Sequence, residues 1–428
     1  GEVVGIVTKK DLRNKVVARC MDYNATIGQI MSSPVLTMPS QAVCFEAMIK
    51  MIREQITHLV VMKGSEYVGI ISAHDMMVNQ VAAPVVLLRD IASQDDVSDL
   101  NLFYRRLPSI VRRLIEQGAR AGHILTLVAL MNDRFITKVM SIVQREIGPT
   151  PVKFTRLLFG DSGRKETNVY PSNDNGIVYE DMPEDTGAEE FHSYLAQFAV
   201  LVSQALQSCC AGPSRTRICA SNPRWRSSLS SWIKYFRDII RNPILPDIFV
   251  TKLVLDFRPL YGLEELGQEL RRSVNFEIRE ADSLKQMLAM DFVSNSSPIT
   301  FFRDRAVEVD GSSSNSIDIH ARLVDPFTNF ARLMAFHYDI DQTNTFARLQ
   351  ALAAMGIFSE STINDISAAY EFNVQLNILN HLKQMEAGIP PDSFLAICDI
   401  SNLERLMLKD TFSVLAKVVE IVEKRFIK

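Results

Sequence analysis

The residues best suited to chemistry lie between residues 157 and 178. An apolar, strand-like run ends in a turn with two glycines, Gly160 and Gly163, and a second strand-like run begins just after Asp174. Glycines let backbone amides approach a phosphate group closely, and the N–H groups at the start of a following helix point at the same anion. A carboxylate at the start of the next strand can hold a divalent metal ion there. The spacing therefore indicates a phosphate and metal site, although G-x-x-G also occurs in ordinary turns.

A mixed α/β segment must position these residues. Apolar and β-branched runs predict strands at residues 154–159, 176–179 and 253–257. Helical periodicity predicts helices between them, at residues 191–207 and 229–241.

The N-terminal region contains an internal repeat. Residues 3–12 reappear as residues 67–76, each copy being a short strand, a hydroxyl residue and an Asp that opens a helix. Between the copies the pattern predicts a helix at 27–31, a strand at 35–38, a helix at 42–54 and a strand at 58–62. The chain begins at Gly1 inside the first copy, so we expect an upstream part to be missing.

The remainder is helical. Apolar stripes predict helices within residues 97–147, which end at the helix-breaking sequence Gly148-Pro149-Thr150-Pro151. Beyond residue 277 further stripes lie at 327–338, 345–355, 363–385 and 403–426, interrupted by a polar loop at 311–316. The predicted fold is a multi-domain α+β protein with an α/β region at 1–85, a helical connector at 86–150, an α/β domain at 151–270 and an all-α bundle at 271–428.

Composition excludes several classes of protein. The formal net charge of −4 argues against a dedicated nucleic-acid binder, which would carry a strongly basic domain. No apolar run approaches the ~18 residues that a membrane span needs. The six cysteines form no dense framework, which is typical of reduced thiols and predicts a cytoplasmic location.

The β-α-β-β-α order of the N-terminal region resembles the CBS (cystathionine β-synthase) module. The resemblance implies a tandem pair that dimerises and binds ATP, AMP or a related adenine nucleotide. Thr8 and Asp11 of the first copy, and Ser72 and Asp75 of the second, would hold the ribose. The alternative is that these hydroxyls and carboxylates only cap helices.

The glycine turn resembles a second family signature. Residues 160–166 resemble the pattern G-[GS]-x-G-R-x-E of the DNA polymerase β-type nucleotidyltransferases, in the form used by the PII-protein uridylyltransferases, where an acidic pair D-x-D follows. The whole chain is similar to CBS-domain-containing proteins classed as nucleotidyltransferases by that kinship. Further matching blocks are residues 220–225, Trp232, 255–258, 316–319, 325–332 and 406–410, the last three within a helical domain assigned to substrate binding.

The resemblance implies specific roles. The phosphates of a nucleoside triphosphate would lie against the turn made by Gly160, Asp161, Ser162, Gly163 and Arg164, which Glu166 braces. The catalytic, metal-binding carboxylates would be Asp174 and, on a neighbouring strand, Asp256. Mg²⁺ ions held there would activate the acceptor for attack on the α-phosphorus. The implied acceptor is a small molecule or a protein of the PII type, and adenine nucleotides at the CBS region would regulate the transfer.

Two positions depart from the family pattern. Ser172 stands where the first carboxylate of the acidic pair is expected, and Asp161 stands where the turn has Ser or Gly. A hydroxyl is a poorer ligand for Mg²⁺ than a carboxylate, although Asp161 could supply a metal ligand from across the turn. The alternatives are an impaired homologue that acts as a CBS nucleotide sensor, or a scaffold that binds no nucleotide.

Several of these residues also have purely structural interpretations. Asp174 could form a turn, and Asp256 could pair with an arginine. Trp225 and Trp232, seven residues apart, could lie on one helical face as part of the core. Arg332 and Lys409 could form salt bridges within the bundle.

Overall fold

The computed structural model describes residues 3–42, 44–78, 83–181, 188–209, 216–296, 299–302, 305–308 and 313–427. It divides into two compact units, residues 1–90 and 91–428, called here the N-terminal unit and the C-terminal unit. None of the described helices is both long and apolar enough to cross a membrane.

The N-terminal unit is built around a three-stranded sheet. Its elements are α1 (Lys9–Asp11), a π-helical turn (Leu12–Val17), α2 (Ile27–Ile30), β1 (Thr37–Pro39), α3 (Cys44–Glu54), β2 (His58–Lys63), β3 (Glu66–Ser72), α4 (Ala73–Val78) and α5 (Ala83–Ser93). Strand β2 pairs in parallel with β1 and antiparallel with β3. The predicted elements between the repeat copies are present, with shifted ends. The predicted strand of the first copy is reduced to a single bridge between Ile6 and Ser32.

The C-terminal unit begins with helices and a four-stranded sheet. Its first elements are α6 (Leu102–Glu116), α7 (Ala121–Ile147), β4 (Phe154–Leu158), α8 (Gly160–Arg164), β5 (Asn175–Tyr179), α9 (Ala188–Ser208), β6 (Arg226–Ser228), α10 (Leu229–Arg241), α11 (Ile248–Leu255), β7 (Arg258–Gly262) and α12 (Glu264–Arg279). The sheet order is β6-β5-β4-β7, with β5 and β6 parallel and the other pairs antiparallel. Helix α7, in the predicted connector, packs against α9 and against the long C-terminal helix that spans Glu360–Glu386.

One predicted strand is wrong. The apolar run at residues 253–257 lies in and just after helix α11, where Thr251, Val254 and Leu255 are buried at helical spacing. The strand β7 begins only at Arg258, and it contains Pro259. Strand β7 lies at the edge of the sheet, where a proline is tolerated. In a sequence, the same proline argues against a central strand. Asp256 therefore lies at the junction between a helix and a strand.

The rest of the C-terminal unit is mainly helical, with two small antiparallel sheets. Its elements are α13 (Asp282–Asn295), β8 (Ile299–Phe302), β9 (Arg305–Glu308), β10 (Ser313–Ser314), β11 (Ser316–Asp318), a π-helical turn (His320–Val324), α14 (Asp325–His337), α15 (Thr345–Ala354), α16 (Glu360–Glu386), β12 (Phe394–Ala396), α17 (Asn402–Val422) and a final π-helical turn (Glu423–Ile427). The four predicted helices are present. The short strands were not predicted, and part of the predicted loop at 311–316 lies outside the described residues.

Candidate functional site

The two glycines of the signature turn meet different requirements. Gly160 has a φ of 57°, in the left-handed region that favours glycine. Gly163 packs against the backbone of the segment after α11, because a Cβ on Gly163 would lie 1.9 Å from the carbonyl oxygen of Asp256. Gly163 is thus required for close packing. Close packing within the protein therefore explains why the signature has a glycine at this second position.

Asp256 is the centre of an arginine cluster, which we define as Asp256 with Arg164, Arg332 and Arg348. Its Oδ2 accepts from Arg164 Nη1 at 3.1 Å and from Arg332 Nη2 at 2.8 Å, and its Oδ1 accepts from Arg348 Nη2 at 2.7 Å. The Asp256 side chain has no exposed surface. Burial alone would raise the pKa of Asp256, but the charges of Arg332, Arg348 and Arg164 outweigh it and hold this pKa well below the ordinary value.

The signature residues Arg164 and Glu166 connect the sheet region to the helical region. Arg164 Nε donates to Glu166 Oε2 at 2.7 Å, and Arg164 Nη2 donates to Asp161. The other Glu166 oxygen accepts from Asn344 Nδ2 at 3.2 Å and from the backbone N–H of Thr345. Arg164 is therefore surrounded by three carboxylates, including Asp256. The predicted bracing role of Glu166 agrees with these contacts, whereas the predicted phosphate role of Arg164 competes with them.

Asp174 lies at the start of β5, where its carbonyl oxygen accepts from the N–H of Phe159 at 3.0 Å. Its Oδ1 accepts from the Thr216 hydroxyl at 2.6 Å, and the residue is 2% exposed. Two residues earlier, the carbonyl oxygen of Ser172 accepts from the Ser162 hydroxyl at 3.5 Å. The family position of the first carboxylate is thus occupied by a residue with no negative charge.

A cavity of about 290 Å³ lies beside the signature turn and is called here the site cavity. Of the predicted residues, Gly160, Asp161, Arg164, Glu166, Ser172 and Asp174 line it, while Ser162, Gly163 and Asp256 do not. Lys252 of α11 also lines it, and the later helical region supplies His320, Asp325, Asn329, Arg332, Tyr370, Val374, Asn377 and His381. The structure therefore brings most of the predicted residues to one cavity, but not Asp256.

One wall of the site cavity carries alternating charges. His320 Nε2 lies 3.8 Å from Asp161 Oδ2, and His320 Nδ1 lies 3.4 Å from Asp325 Oδ2. The charge of Asp325 raises the pKa of His320 well above the ordinary value, against the opposing effect of burial. Burial would raise the pKa of Asp161, but Arg164 and His320 together lower it. Asp161 is therefore an ionised carboxylate that already has two cationic neighbours.

These residues do not fit a two-metal centre in this arrangement. Asp256 has both oxygens bound by guanidinium groups, Asp161 pairs with Arg164, and Ser172 contributes no carboxylate. The described residues contain no group of three or more His, Cys, Asp or Glu side chains that could hold a metal ion. The sequence assigned Asp256 to metal binding and catalysis on a strand. The structure corrects the placement, because Asp256 lies off the strand at the end of α11. Its contacts with the arginine cluster compete with the metal-binding and catalytic role, which remains a prediction.

The repeated hydroxyl and carboxylate residues of the N-terminal unit form two helix caps. The Thr8 hydroxyl donates to Asp11 at 2.6 Å, and the Ser72 hydroxyl donates to Asp75 at 2.6 Å. In each copy the carboxylate also accepts from the backbone N–H of the hydroxyl residue, at 3.0 Å and 2.8 Å. This is the capping alternative raised from the sequence. A role of the four residues in nucleotide binding remains a prediction.

Some residues of the site were missed or underrated from the sequence. Arg348 and Asn344 were not singled out, and Arg332 was interpreted as forming a salt bridge within the bundle, whereas its partner is Asp256. No local pattern marks these residues, because their partners are far away in the chain. Trp225 and Trp232 are both buried, as expected, and Trp232 donates to the carbonyl oxygen of Ile177 at 2.9 Å. They do not share a helical face, because Trp225 lies in a short turn before β6 and Trp232 lies in α10.

Comparison with known families agrees with this architecture. Residues 27–81 match the CBS domain, residues 105–245 match the family described as "Putative nucleotidyltransferase DUF294", and residues 282–426 match its "Putative nucleotidyltransferase substrate binding domain". The chain is therefore a CBS-domain-containing member of the DUF294 nucleotidyltransferase family. Its family domain starts at residue 105, inside the segment predicted as a connector. A comparison with curated proteins gave no match.

Proposed function

We propose that this protein is a nucleotide-binding regulator derived from a nucleotidyltransferase, in which transfer chemistry is impaired. The observation that carries the proposal is the arginine cluster around Asp256. Nucleotidyl transfer by this type of fold depends on clustered carboxylates whose mutual repulsion is offset by bound cations. Here the cations that offset the charge of Asp256 are three guanidinium groups of the protein itself, and Ser172 removes a second carboxylate.

Nucleotide binding is supported by the site cavity. Its volume of about 290 Å³ is at the lower end of the range of ~300–1,000 Å³ typical of ligand pockets. Lys252 and Arg332 lie in a lining that also contains the glycine turn. Each already pairs with a carboxylate of the protein, Lys252 with Asp291 at 2.7 Å and Arg332 with Asp256 at 2.8 Å, so a bound phosphate would compete with these ion pairs. Membership of the family implies a nucleoside triphosphate as the ligand. Phosphate groups are the part of that ligand that cationic side chains recognise.

The N-terminal unit would supply the regulation. A CBS domain at residues 27–81 and the two equivalent hydroxyl–carboxylate pairs support adenine-nucleotide binding and dimerisation through this unit. An adenine nucleotide can regulate the site cavity only if it binds one state of the protein more tightly than another. A cytoplasmic location, predicted from the cysteines, suits a protein that responds to these nucleotides.

The proposal is tested by separating binding from transfer. Isothermal titration with UTP and with ATP, each with Mg²⁺, should give saturable heat. Incubation with α-³²P-labelled UTP or ATP should give neither pyrophosphate nor a labelled acceptor. Steady pyrophosphate release would show that the transferase is active, and the absence of heat with both nucleotides would remove the binding function.

Transfer of a uridylyl group to a protein of the PII type is the second candidate. The observation that favours it is that Asp161 and Asp174 line the same cavity, so Asp161 could replace the carboxylate lost at Ser172. Labelling of a purified PII-type acceptor by α-³²P-UTP, lost on Asp174→Asn, would establish this candidate. Labelling that persists in Asp174→Asn would exclude Asp174 from the reaction.

A further inference from the structure

Three of the four asparagines of helix α16 lie at helical spacing, Asn373, Asn377 and Asn380. Two of them have clear structural roles. Asn373 Nδ2 donates to the carbonyl oxygen of Leu323 at 2.9 Å, and Asn380 Nδ2 donates to the carbonyl oxygens of Asp392 and Phe394, each at 3.2 Å. These two side chains fasten α16 to neighbouring segments of the C-terminal unit.

Asn377 differs from both in its position. It lines the site cavity, which Asn373 and Asn380 do not. It is 6% exposed, and its Oδ1 has no hydrogen-bond partner among the described residues. The Oδ1 of Asn373 also lacks a partner, but that side chain is held through its nitrogen and lies away from the cavity.

A buried amide oxygen without a partner lowers stability, because the water that it loses on folding is not replaced. Asn373 and Asn380 offset such a cost through the hydrogen bonds of their nitrogens. Among the described residues, Asn377 has no comparable hydrogen bond that holds its side chain in place. Such a group in a cavity wall is explained if a ligand supplies the missing partner.

The surroundings of Asn377 define the chemistry of that ligand group. Tyr370 and Val374, on the same helix, line the cavity and are almost fully buried, as are Leu125 and Val324 on other elements. This lining is apolar and aromatic, which suits a flat, neutral ring. Charged lining, which includes Lys252 of α11 and Arg332 of α14, comes from other elements. The cavity therefore offers both charged and neutral surfaces to one ligand.

An amide presents a donor and an acceptor side by side. The edge of a nucleobase offers the complementary pair, as in the two-hydrogen-bond contacts that asparagine makes with bases. We propose that Asn377 recognises the base of a nucleotide bound in the site cavity and determines which base is preferred. This inference rests on the proposed nucleotide-binding function and adds to it the residue that gives base specificity.

The test uses the full chain and titrates UTP, CTP, ATP, GTP and inorganic tripolyphosphate. The variant is Asn377→Leu, which keeps the approximate size and removes the amide, and its matched control is Asn373→Leu. The unaltered chain should bind one nucleotide more tightly than the others and than tripolyphosphate. Asn377→Leu should weaken the binding of that nucleotide by about tenfold or more and leave the binding of tripolyphosphate unchanged. Asn377→Asp, which keeps the shape and loses the donor, should also abolish the preference.

Thermal unfolding separates recognition from a structural role. Asn377→Leu should melt at the same temperature as the unaltered chain or higher, because it removes a buried oxygen without a partner. Asn373→Leu should melt lower, because it breaks the bond to Leu323. A lower melting temperature for Asn377→Leu, or an unchanged base preference in both Asn377 variants, would overturn the inference.

The binding data also distinguish the two proposals. If all four nucleotides and tripolyphosphate bind equally, the cavity binds phosphate and only the role of Asn377 fails. If none of them binds, the proposed function and this inference fail together.

Discussion

Arg348 Nη2 lies 2.7 Å from Asp256 Oδ1 although the two residues are 92 positions apart in the chain. This contact joins α15 to the junction between α11 and β7. Together with Arg164 and Arg332, it converts the expected metal-binding carboxylate into a structural centre of the C-terminal unit. The consequences can be measured independently of any activity.

Replacement of Asp256 should unfold the C-terminal unit more readily. Asp256→Asn removes the carboxylate that Arg332 and Arg348 share, while Arg164 keeps Asp161 and Glu166. Loss of one partner of a buried ion pair costs about 3–5 kcal/mol. Calorimetry should therefore show a large fall in the melting temperature of this unit. Asp282→Asn is the matched control, since the Asp282 side chain is 91% exposed. An unchanged melting temperature in Asp256→Asn would show that the cluster contributes little, leaving Asp256 available for a metal ion.

Gly163→Ala should be destabilising without any change in charge. The added Cβ would lie 1.9 Å from the carbonyl oxygen of Asp256, so backbone must move, at a typical cost of about 1–3 kcal/mol. Gly28→Ala is the control, because nothing lies within 4 Å of the position that its added Cβ would take, and helix propensity favours alanine there. Thermal unfolding of both variants checks the difference. Equal stabilities would mean that the turn relaxes easily and that Gly163 is not required for packing.

Restoring the family carboxylate should strengthen metal binding. Ser172→Asp places a second carboxylate two residues before Asp174, and Asp161→Ser in the same chain restores the family turn. We expect the double variant to bind Mn²⁺ at least about tenfold more tightly than the unaltered chain, because it gains a carboxylate beside Asp174, whereas the carboxylate that it loses, Asp161, is already paired with Arg164. Titration followed by electron paramagnetic resonance measures this, with Ser172→Ala as the control. Equally tight Mn²⁺ binding by the unaltered chain would contradict the conclusion that its residues do not fit a metal ion.

Removal of the Thr8 hydroxyl should raise the pKa of Asp11. The hydrogen bond from that hydroxyl, with a further contribution from Lys15, lowers this pKa from 3.8 to about 2. Since the folded state has the lower pKa, the cap stabilises the N-terminal unit fully above pH 3.8, and this stabilisation is lost as the pH falls towards 2. Nuclear magnetic resonance titration should show the Asp11 midpoint moving towards 3.8 in Thr8→Ala. A midpoint that stays near 2 would assign the shift to Lys15 and to the backbone N–H of residue 8, which the variant keeps.

Local sequence patterns predicted the elements around the site well. The helix at residues 229–241 and the strand before the glycine turn lie where periodicity placed them, because each depends on the burial of its own apolar side chains. The strand predicted at residues 253–257 was wrong because a short apolar run fits a buried helix as well as a buried strand. Its environment, not its composition, determined its conformation.

The sequence by itself determined the domain family, the glycine turn and the departures at Ser172 and Asp161, because these depend on residue types at fixed local spacing. Only the tertiary structure decided the surroundings of Asp256 and Asn377. Asp256 is neutralised by arginines from distant helices. Asn377 lines the site cavity, which Asn373 and Asn380 do not, and its Oδ1 has no hydrogen-bond partner among the described residues. Burial, charge compensation and hydrogen bonding are properties of the neighbours in space, and residue spacing along the chain does not specify them.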